Sequence, residues 1–289
     1  MRHHFSVRIG PVGFRIGSAW PGPIQTLRTL YADYPAPADG IADFTVRLEP
    51  GRPWRRFIRP AVEIRGDFTL PDAAPLPLAQ GLLAAEMGMN LQMALGQRRY
   101  LLLHASAVER DGRALLMTGN SGAGKSTLAA TLARRGHVLL ADDVTALDGP
   151  TLWPALPRLK LWPDSLAAFG IERAGLARTR SAQDKFNLAP RRFDPAPVRL
   201  SAVYGLVTAR GAMRVGIEAI AGRAAVAMLA ANVYRPSLGP LLGRQAAIFT
   251  AVVQIAQRAA IHTLIRPDDL AALDDVARQV EGHVAALAS

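Results

Sequence analysis

An apolar segment runs directly into a glycine-rich loop and then into a helical pattern, and this order constrains the fold most strongly. Residues 113–118 read Arg-Ala-Leu-Leu-Met-Thr, and residues 119–127 read Gly-Asn-Ser-Gly-Ala-Gly-Lys-Ser-Thr. The second stretch matches G-x-x-x-x-G-K-[ST], a phosphate-binding loop (P-loop) that joins a strand to a helix. Residues 127–135 show the apolar spacing of that helix. The sequence therefore predicts an α/β fold with a P-loop at the end of a strand.

The residue types of the loop explain its chemistry. Gly119, Gly122 and Gly124 permit backbone angles closed to other residues and let main-chain N–H groups approach a phosphate. Lys125 is predicted to reach the β- and γ-phosphates of ATP, and the Ser126 hydroxyl to bind Mg²⁺. The predicted nucleotide-binding residues are Gly119, Asn120, Ser121, Gly122, Ala123, Gly124, Lys125, Ser126 and Thr127.

Two adjacent carboxylates follow the next apolar run. Asp142 and Asp143 come directly after residues 138–141 (VLLA). Ligands of open α/β sheets bind at the carboxyl ends of strands, where such a pair can hold Mg²⁺ through water and accept a proton from a hydroxyl. We therefore predict catalytic roles for both, with Asp142 also a metal ligand; the alternative is a solvated acidic turn. His104 ends an earlier predicted strand, where a histidine by itself is usually structural.

Lysine is rare in this chain, so its positions are informative. Of the 34 basic residues only three are lysines, Lys125, Lys160 and Lys185. Because an ammonium and a guanidinium are not interchangeable, lysines retained in an arginine-rich chain favour sites that need a compact charge. Prolines flank Arg158 and Lys160 and disfavour a helix there. We predict that Arg158, Lys160 and Lys185 contact the acceptor or phosphate; the alternatives are chance lysines and a solvated basic loop.

Composition excludes several classes of protein. There is no cysteine, which rules out a disulfide framework and thiolate metal sites. No apolar run typical of a secretory signal follows the first residues, and the most apolar stretch, residues 73–95, is too interrupted to span a bilayer. The net charge of +11 is compatible with nucleic acid, but aromatic residues make up only 6% and no recognition motif occurs. We expect a soluble, cytoplasmic protein without a membrane or nucleic-acid partner.

The N-terminal part of the chain is rich in strand patterns. Residues 5–9 and 14–18 alternate on either side of Gly10-Pro11-Val12-Gly13, which predicts a β-hairpin. Strand patterns return at residues 43–48 and 57–65. The sequence therefore predicts a small β-rich region.

A proline-rich break at residues 70–77 separates this region from the rest. We predict a β-rich N-terminal region, residues 1–76, and a P-loop domain, residues 77–289, which begins with a helix at 78–96. Further strands are predicted at 100–104, 105–109, 114–117, 138–141, 202–208, 214–220 and 261–265, and helices at 223–232, 243–258 and 267–287.

The order of these motifs resembles that of a known family. His104, the P-loop and the run Gly136-His137-x-Leu-x-Ala-Asp142-Asp143 look like the HPr kinase/phosphorylase family. Residues 86–143 are similar to the bacterial HPr-kinase-related proteins often called HprK-related kinase A. Residues 157–164 (PRLKLWPD) are similar to HPr-kinase-like proteins encoded with ribosomal-peptide cassettes. The resemblance covers roughly residues 80–289 and implies a P-loop kinase domain of the phosphoenolpyruvate carboxykinase/HPr kinase type.

The resemblance implies a role for individual residues. Asp143 matches the general base that deprotonates the acceptor serine, and His104 matches the histidine that supports this base. Lys125 matches the phosphate lysine, and Ser126 matches the Mg²⁺ ligand.

The sequence departs from the family in two places. The Glu-x-Arg-Gly stretch, whose glutamate helps hold Mg²⁺, is absent, and the corresponding region offers Arg158 and Lys160. The first 75 residues show no match to the family's regulatory domain. The resemblance also implies a homo-oligomer.

Together these observations predict an ATP- and Mg²⁺-dependent kinase that transfers the γ-phosphoryl group to a serine hydroxyl of a protein or peptide. One alternative is a small-molecule kinase of the same fold. Another is a nucleotide-binding regulatory module that transfers nothing and binds a partner protein through its arginine-rich segment, residues 158–192.

Overall fold

The structure is a computed structural model that describes residues 2–68, 74–176, 178–180, 183–190, 192, 194, 196–209, 211 and 214–287. The chain forms two compact units, Met1–Arg99 and Tyr100–Ser289. This division lies further along the chain than the boundary at 76–77 that the proline-rich break predicts. Residues 70–73 of that break lie outside the described residues.

In its described residues, the first unit is a five-stranded sheet with two α-helices. Its elements are β1 (His3–Ile9), β2 (Val12–Ser18), α1 (Pro21–Leu30), β3 (Phe44–Pro50), β4 (Ala61–Gly66), β5 (Leu76–Pro77) and α2 (Gly81–Met93). The strands lie in the order β1-β2-β3-β4-β5. β1 and β2 form the predicted antiparallel hairpin, and β3 pairs with β2 in parallel after the α1 crossover. The strand predicted at 57–65 begins only at Ala61, because residues 57–59 form a turn in which Arg59 has a φ of 47°.

Helix α2 belongs to the first unit because it packs on β3 and β4. Met89 and Met93 are buried, and Glu86 accepts a 2.9 Å hydrogen bond from the Tyr31 hydroxyl. A side chain at Gly88 would come within 2.5 Å of Val46 in β3, so glycine allows the helix to approach the sheet closely. A helix that buries itself against the preceding strands cannot be assigned to the following unit.

The second unit contains the P-loop. Its strands are β6 (Leu101–Leu103), β7 (Ala105–Arg110), β8 (Arg113–Thr118), β9 (Val138–Ala141), β10 (Thr145–Asp148), β11 (Thr151–Trp153), β12 (Leu159–Leu161), β13 (Arg178–Arg180), β14 (Gln183–Leu188), β15 (Val198–Ala209), β16 (Gly216–Ala219) and β17 (Ala260–Pro267). Its helices are α3 (Lys125–Arg134), α4 (Pro163–Ala168), α5 (Gly222–Ala231), α6 (Leu238–Leu241), α7 (Gln245–Arg258) and α8 (Leu273–Ala286).

The long strand β15 organises the main sheet. It pairs in parallel with β8 and with β17, so the carboxyl ends of these three strands meet at one edge. The sheet continues through β7 and β9 on the side of β8, and through β11, β10 and β6 on the other side. A smaller sheet has the order β12-β14-β13. The P-loop follows β8 and therefore lies at the edge where ligands of such sheets bind.

Helices cover both faces of the main sheet. On one face, Leu128 of α3 and Val280 of α8 belong to one buried apolar cluster. On the other face, Leu229 of α5 and Val252 of α7 belong to a second cluster. This arrangement confirms the predicted P-loop α/β fold. Among the described residues, no helix combines the length and the apolar character that crossing a membrane requires.

The last helix begins later than the sequence pattern predicts. The pattern at 267–287 predicts one helix, but α8 begins at Leu273. Before it, the Asp269 side chain accepts a hydrogen bond from the Ala271 N–H, and residues Leu270–Ala272 form a 3-10 turn. Residues 268–272 therefore form a turn between the carboxyl end of β17 and α8.

Candidate active site

The loop of residues 119–124 joins the carboxyl end of β8 to the first residue of α3 and depends on its glycines. Gly119 has a φ of 137°, and a Cβ there would lie 2.8 Å from the main-chain oxygen of Leu206 in β15. Gly124, the N-cap of α3, has a φ of 92°. Because side chains at these positions meet steric or conformational obstacles, the glycines fix a loop that leads main-chain N–H groups to the start of a helix.

Lys125 folds back over this loop. Its side chain is buried, and Nζ donates to the main-chain oxygens of Gly119 at 2.7 Å and Asn120 at 3.1 Å. Burial lowers the pKa of Lys125, while the charge of Asp142 opposes this shift. The ammonium therefore donates to two neutral main-chain oxygens of the loop. A phosphate that entered the loop would offer it a charged acceptor instead.

Asp142 is the buried polar centre of the site. Its Oδ1 accepts hydrogen bonds from the hydroxyls of Ser106 at 2.6 Å and Ser126 at 2.8 Å, and its Oδ2 accepts one from the Lys160 N–H at 2.8 Å. Burial raises the pKa of Asp142, and the hydrogen bonds from Ser106 and Lys160 oppose the rise. This carboxyl group is therefore fixed by three donors on different elements, directly beside the P-loop serine.

Asp143 points toward two basic groups. Its Oδ2 lies 2.5 Å from Lys160 Nζ, and its Oδ1 lies 3.3 Å from Nδ1 of His104, which also contacts the Asp143 main-chain oxygen at 2.9 Å. Asp143 has a φ of 82°, a conformation that costs a non-glycine residue about 1–3 kcal/mol and often occurs at functional sites. Burial favours a raised pKa, but the charge and hydrogen bond of Lys160 and the charge of His104 hold the pKa of Asp143 below its usual value.

One cavity of about 270 Å³ connects these groups. Its lining includes many of the site residues that the sequence predicts, namely His104, Ser121, Gly122, Gly124, Lys125, Ser126, Thr127, Asp142, Asp143, Lys160 and Lys185. The structure therefore brings together the P-loop, the acidic pair, His104 and all three lysines, which are far apart in the sequence.

The three predicted basic contacts are not equivalent. Lys160 lies in β12 and reaches Asp143, and Lys185 in β14 places Nζ 4.9 Å from the centre of the Trp162 ring. Arg158 is not among the described residues that line the cavity, and its Nη1 donates to the main-chain oxygen of Pro157 at 3.1 Å. The structure thus separates Arg158 from the two lysines.

Sequence reasoning missed several residues of the site. Ser106 lies on β7, beside the strand of the acidic pair, and only the register of β7 with β9 brings it to Asp142. Trp162, Asp164, Ser165, Arg266, Asp268 and Leu270 also line the cavity. The sequence gives no direct signal for Arg266, because its place at this edge depends on the parallel pairing of β17 with β15.

Asn232 connects two parts of the site without lining the cavity. Its Oδ1 accepts a 3.1 Å hydrogen bond from the Gly119 N–H, and its main-chain oxygen accepts a 2.8 Å bond from the His104 N–H. Its Nδ2 donates to the Met228 main-chain oxygen at 2.7 Å. One residue at the end of α5 therefore fixes both the start of the P-loop and the strand end that carries His104.

Comparisons with known proteins match the same part of the chain. Residues 97–150 match the family described as HPr Serine kinase C-terminal domain. The HPr kinase/phosphorylase of Streptococcus mutans is 32% identical over 109 residues, which cover 32% of this chain and 34% of that protein. That of Limosilactobacillus reuteri is 47% identical over 60 residues, which cover 20% of this chain and 19% of that protein. The chain thus spans about a third or less of the length of these curated relatives.

Among solved structures, the chain is similar to the Hpr(Ser) kinase/phosphatase from Coxiella burnetii. The match covers 65% of this chain and 99% of that chain, with 14% sequence identity and a TM-score of 0.32.

Proposed function

We propose that this chain, which belongs to an HPr-kinase-related family, is a kinase that uses ATP and Mg²⁺ to phosphorylate a serine hydroxyl of a protein or peptide. The observation that carries the proposal is the position of Asp143. Its carboxylate lies between His104 and Lys160 and lines the same cavity as Lys125 and Ser126.

The P-loop would hold the phosphates of ATP. Main-chain N–H groups at the start of α3 donate to phosphate oxygens, and the helix dipole favours the same negative charge. Lys125 exchanges its two main-chain acceptors for a phosphate oxygen, and this exchange strengthens its hydrogen bonds because the new acceptor is charged. Lys125 therefore stabilises the charge on the group being transferred.

Ser126 and Asp142 fit a magnesium ion. Their oxygens lie 2.8 Å apart, and Mg²⁺ prefers hydroxyl and carboxylate oxygens that it shares with substrate phosphates and water. Among the described residues, no group of three or more His, Asp or Glu side chains could form a metal site. Bound there, Mg²⁺ would neutralise charge on the β- and γ-phosphates.

Asp143 would accept the proton of the acceptor serine. The lowered pKa keeps its carboxylate ionised at neutral pH. As the proton moves to Asp143, the serine oxygen forms a bond to the γ-phosphorus, and the bond from this phosphorus to the bridging oxygen breaks so that ADP leaves. His104 holds the base through its contacts with the Asp143 carboxylate and main-chain oxygen.

The acceptor is a serine-containing protein or peptide, and the first acceptor to test is HPr, for which the relatives are named. The experiment incubates purified protein, Mg²⁺ and γ-labelled ATP with HPr and, separately, with a lysate of the source organism. We expect label in a polypeptide, lost in Lys125→Ala and retained in Arg158→Gln, the matched charge control outside the cavity. Label only in a small molecule would instead support a small-molecule kinase. ATP binding without any labelled product would support a regulatory module.

A further inference from the structure

We propose that the turn after β17, in particular Asp268 and Leu270, binds the nucleoside part of the nucleotide. This inference rests on the proposed use of a nucleoside triphosphate by the P-loop. Both residues line the cavity that contains the P-loop and the acidic pair, and both lie outside the stretch that matches the HPr Serine kinase C-terminal domain, residues 97–150.

The sheet brings this turn to the P-loop. β17 runs parallel to β15 and β15 parallel to β8, so the segments that follow β17 and β8 leave the sheet at the same edge. Leu206 of β15, the strand between them, closely approaches Gly119 through its main-chain oxygen. The turn is therefore a neighbour of the loop although it lies far along the chain.

Arg266 fixes the turn against the loop. It is only 6% exposed, its Nε donates to the Ala123 main-chain oxygen at 3.0 Å, and its Nη1 donates to the Pro267 main-chain oxygen at 3.0 Å. A Cβ at Gly124 would lie 2.6 Å from its Nη2, so the guanidinium lies directly against this glycine. Arg266 thus sets the position of Asp268 and Leu270 relative to the phosphates.

The direction of the phosphate chain places the nucleoside near this turn. In the proposed reaction the γ-phosphate lies at Asp143. The N–H groups of the loop hold the α- and β-phosphates, so the chain runs along the loop toward Thr127 in the first turn of α3. The Thr127 hydroxyl lies 2.9 Å from that of Ser165 in α4, and α4 packs on the 3-10 turn that starts at Leu270. A triphosphate bound in this direction leaves its ribose and base beside Leu270.

The side chains of the turn suit a nucleoside. The exposed Asp268 carboxylate is an acceptor for ribose hydroxyl groups, and the partly buried Leu270 offers an apolar contact for a base. Ligand sites commonly combine apolar contacts with a few polar groups that fix orientation. Asp268 and Leu270 together would distinguish a nucleotide from a bare polyphosphate.

The test compares the dissociation constants of Mg²⁺-ATP and Mg²⁺-tripolyphosphate, which has phosphates but no nucleoside. We expect Leu270→Ser and Asp268→Ala each to weaken ATP binding about ten-fold, the effect of about 1.4 kcal/mol, and to leave tripolyphosphate binding unchanged. Leu241→Ser, which removes an exposed leucine outside the cavity, serves as the matched control and should change neither. Lys125→Ala should weaken the binding of both ligands.

Two results would overturn the inference and separate it from the proposed function. In the first result, Lys125→Ala weakens ATP binding, but Leu270→Ser and Asp268→Ala either bind both ligands with wild-type affinity or lose affinity for both equally. The P-loop then binds the nucleotide, but the turn does not recognise its nucleoside. If the wild-type protein binds neither ligand, the proposed nucleotide-dependent function fails, and the inference fails with it.

Discussion

Lys160 Nζ lies 2.5 Å from Asp143 Oδ2 and forms an ion pair with the proposed base. The Asp143 side chain is 30% exposed and that of Lys160 18%, so solvent screens this pair only partly. The main-chain N–H of the same lysine donates to Asp142. Lys160 therefore connects both carboxylates, and its charge affects how readily Asp143 accepts a proton.

Lys160→Gln should shift the pH dependence of phosphoryl transfer. Lys160 lowers the pKa of Asp143, so its removal raises this pKa, and the ionised base is then lost at a higher pH. We expect the acidic limb of the kcat/KM profile to move to higher pH and kcat at the plateau to fall. The matched control, Arg158→Gln, should keep the wild-type profile. An unchanged acidic limb in Lys160→Gln would show that Asp143 does not control the rate through this pair.

Asp142→Asn should raise the Mg²⁺ concentration that phosphoryl transfer requires. The substitution removes the charge beside Ser126 while it preserves volume, so we expect the Mg²⁺ concentration for half-maximal activity to rise on the order of ten-fold. A magnesium titration at saturating ATP measures this. Asp148→Asn, at the exposed end of β10, is the control and should leave the titration unchanged. Equal magnesium requirements in Asp142→Asn and wild type would contradict the proposed ligand.

Asn232→Ala should weaken the site without removing any residue that lines the cavity. It leaves the part-buried Gly119 N–H without its 3.1 Å acceptor, a loss of about 1 kcal/mol. We expect ATP affinity and transfer rate to fall several-fold. Asn232→Asp keeps an acceptor for Gly119 and should retain more of both. If the alanine variant is only less stable to urea and binds ATP normally, Asn232 does not position the loop.

A second charged cluster makes stability depend on pH. Glu281 accepts hydrogen bonds from Arg135 at 2.7 and 3.1 Å and from Arg110 at 3.1 Å, and its Oε1 lies 3.1 Å from Nε2 of the buried His137. Burial favours a raised pKa, but the hydrogen bonds of Arg135 and His137 hold the pKa of Glu281 below its usual value. The ionised form therefore stabilises the fold above the pKa of the unfolded chain, and this stabilisation disappears as the pH falls through the folded-state pKa.

Glu281→Gln should lower the free energy of unfolding at pH 7 by about 1.5–3 kcal/mol, because hydrogen bonds to a charged acceptor are lost. The difference from wild type should shrink as the pH falls below the folded-state pKa of Glu281, as measured by urea unfolding at several pH values. Glu172→Gln, an exposed control, should match wild type throughout. A deficit in Glu281→Gln that does not change with pH would mean that the carboxylate charge is not responsible.

The sequence was sufficient for the local parts of the site. The P-loop lies within one strand-loop-helix unit, and Asp142 and Asp143 directly follow the next strand, so spacing alone places each group at the carboxyl end of a predicted strand. The strand pattern of β8 and the helix pattern of α3 were predicted correctly for the same reason. Neighbours along the chain determine these elements.

Long-range pairing explains what the sequence could not show. Ser106 reaches Asp142 through the register of β7 and β9, and Asn232 reaches Gly119 from the end of α5. Arg266 became visible only once β17 was seen to pair with β15, and the helical pattern over 267–287 concealed the turn that follows it. Each of these contacts depends on which distant strands and helices become neighbours.

The single-turnover rate of phosphoryl transfer by Asp143→Asn, measured with the ATP dissociation constant of the same variant, tests the central claim most directly. The substitution removes the base without changing its volume. We predict an ATP affinity close to wild type and a transfer rate lower by on the order of 10²-fold or more. Wild-type transfer by Asp143→Asn, with the loss appearing in Asp142→Asn instead, would contradict the choice of base. Wild-type transfer by both variants would contradict the whole catalytic arrangement.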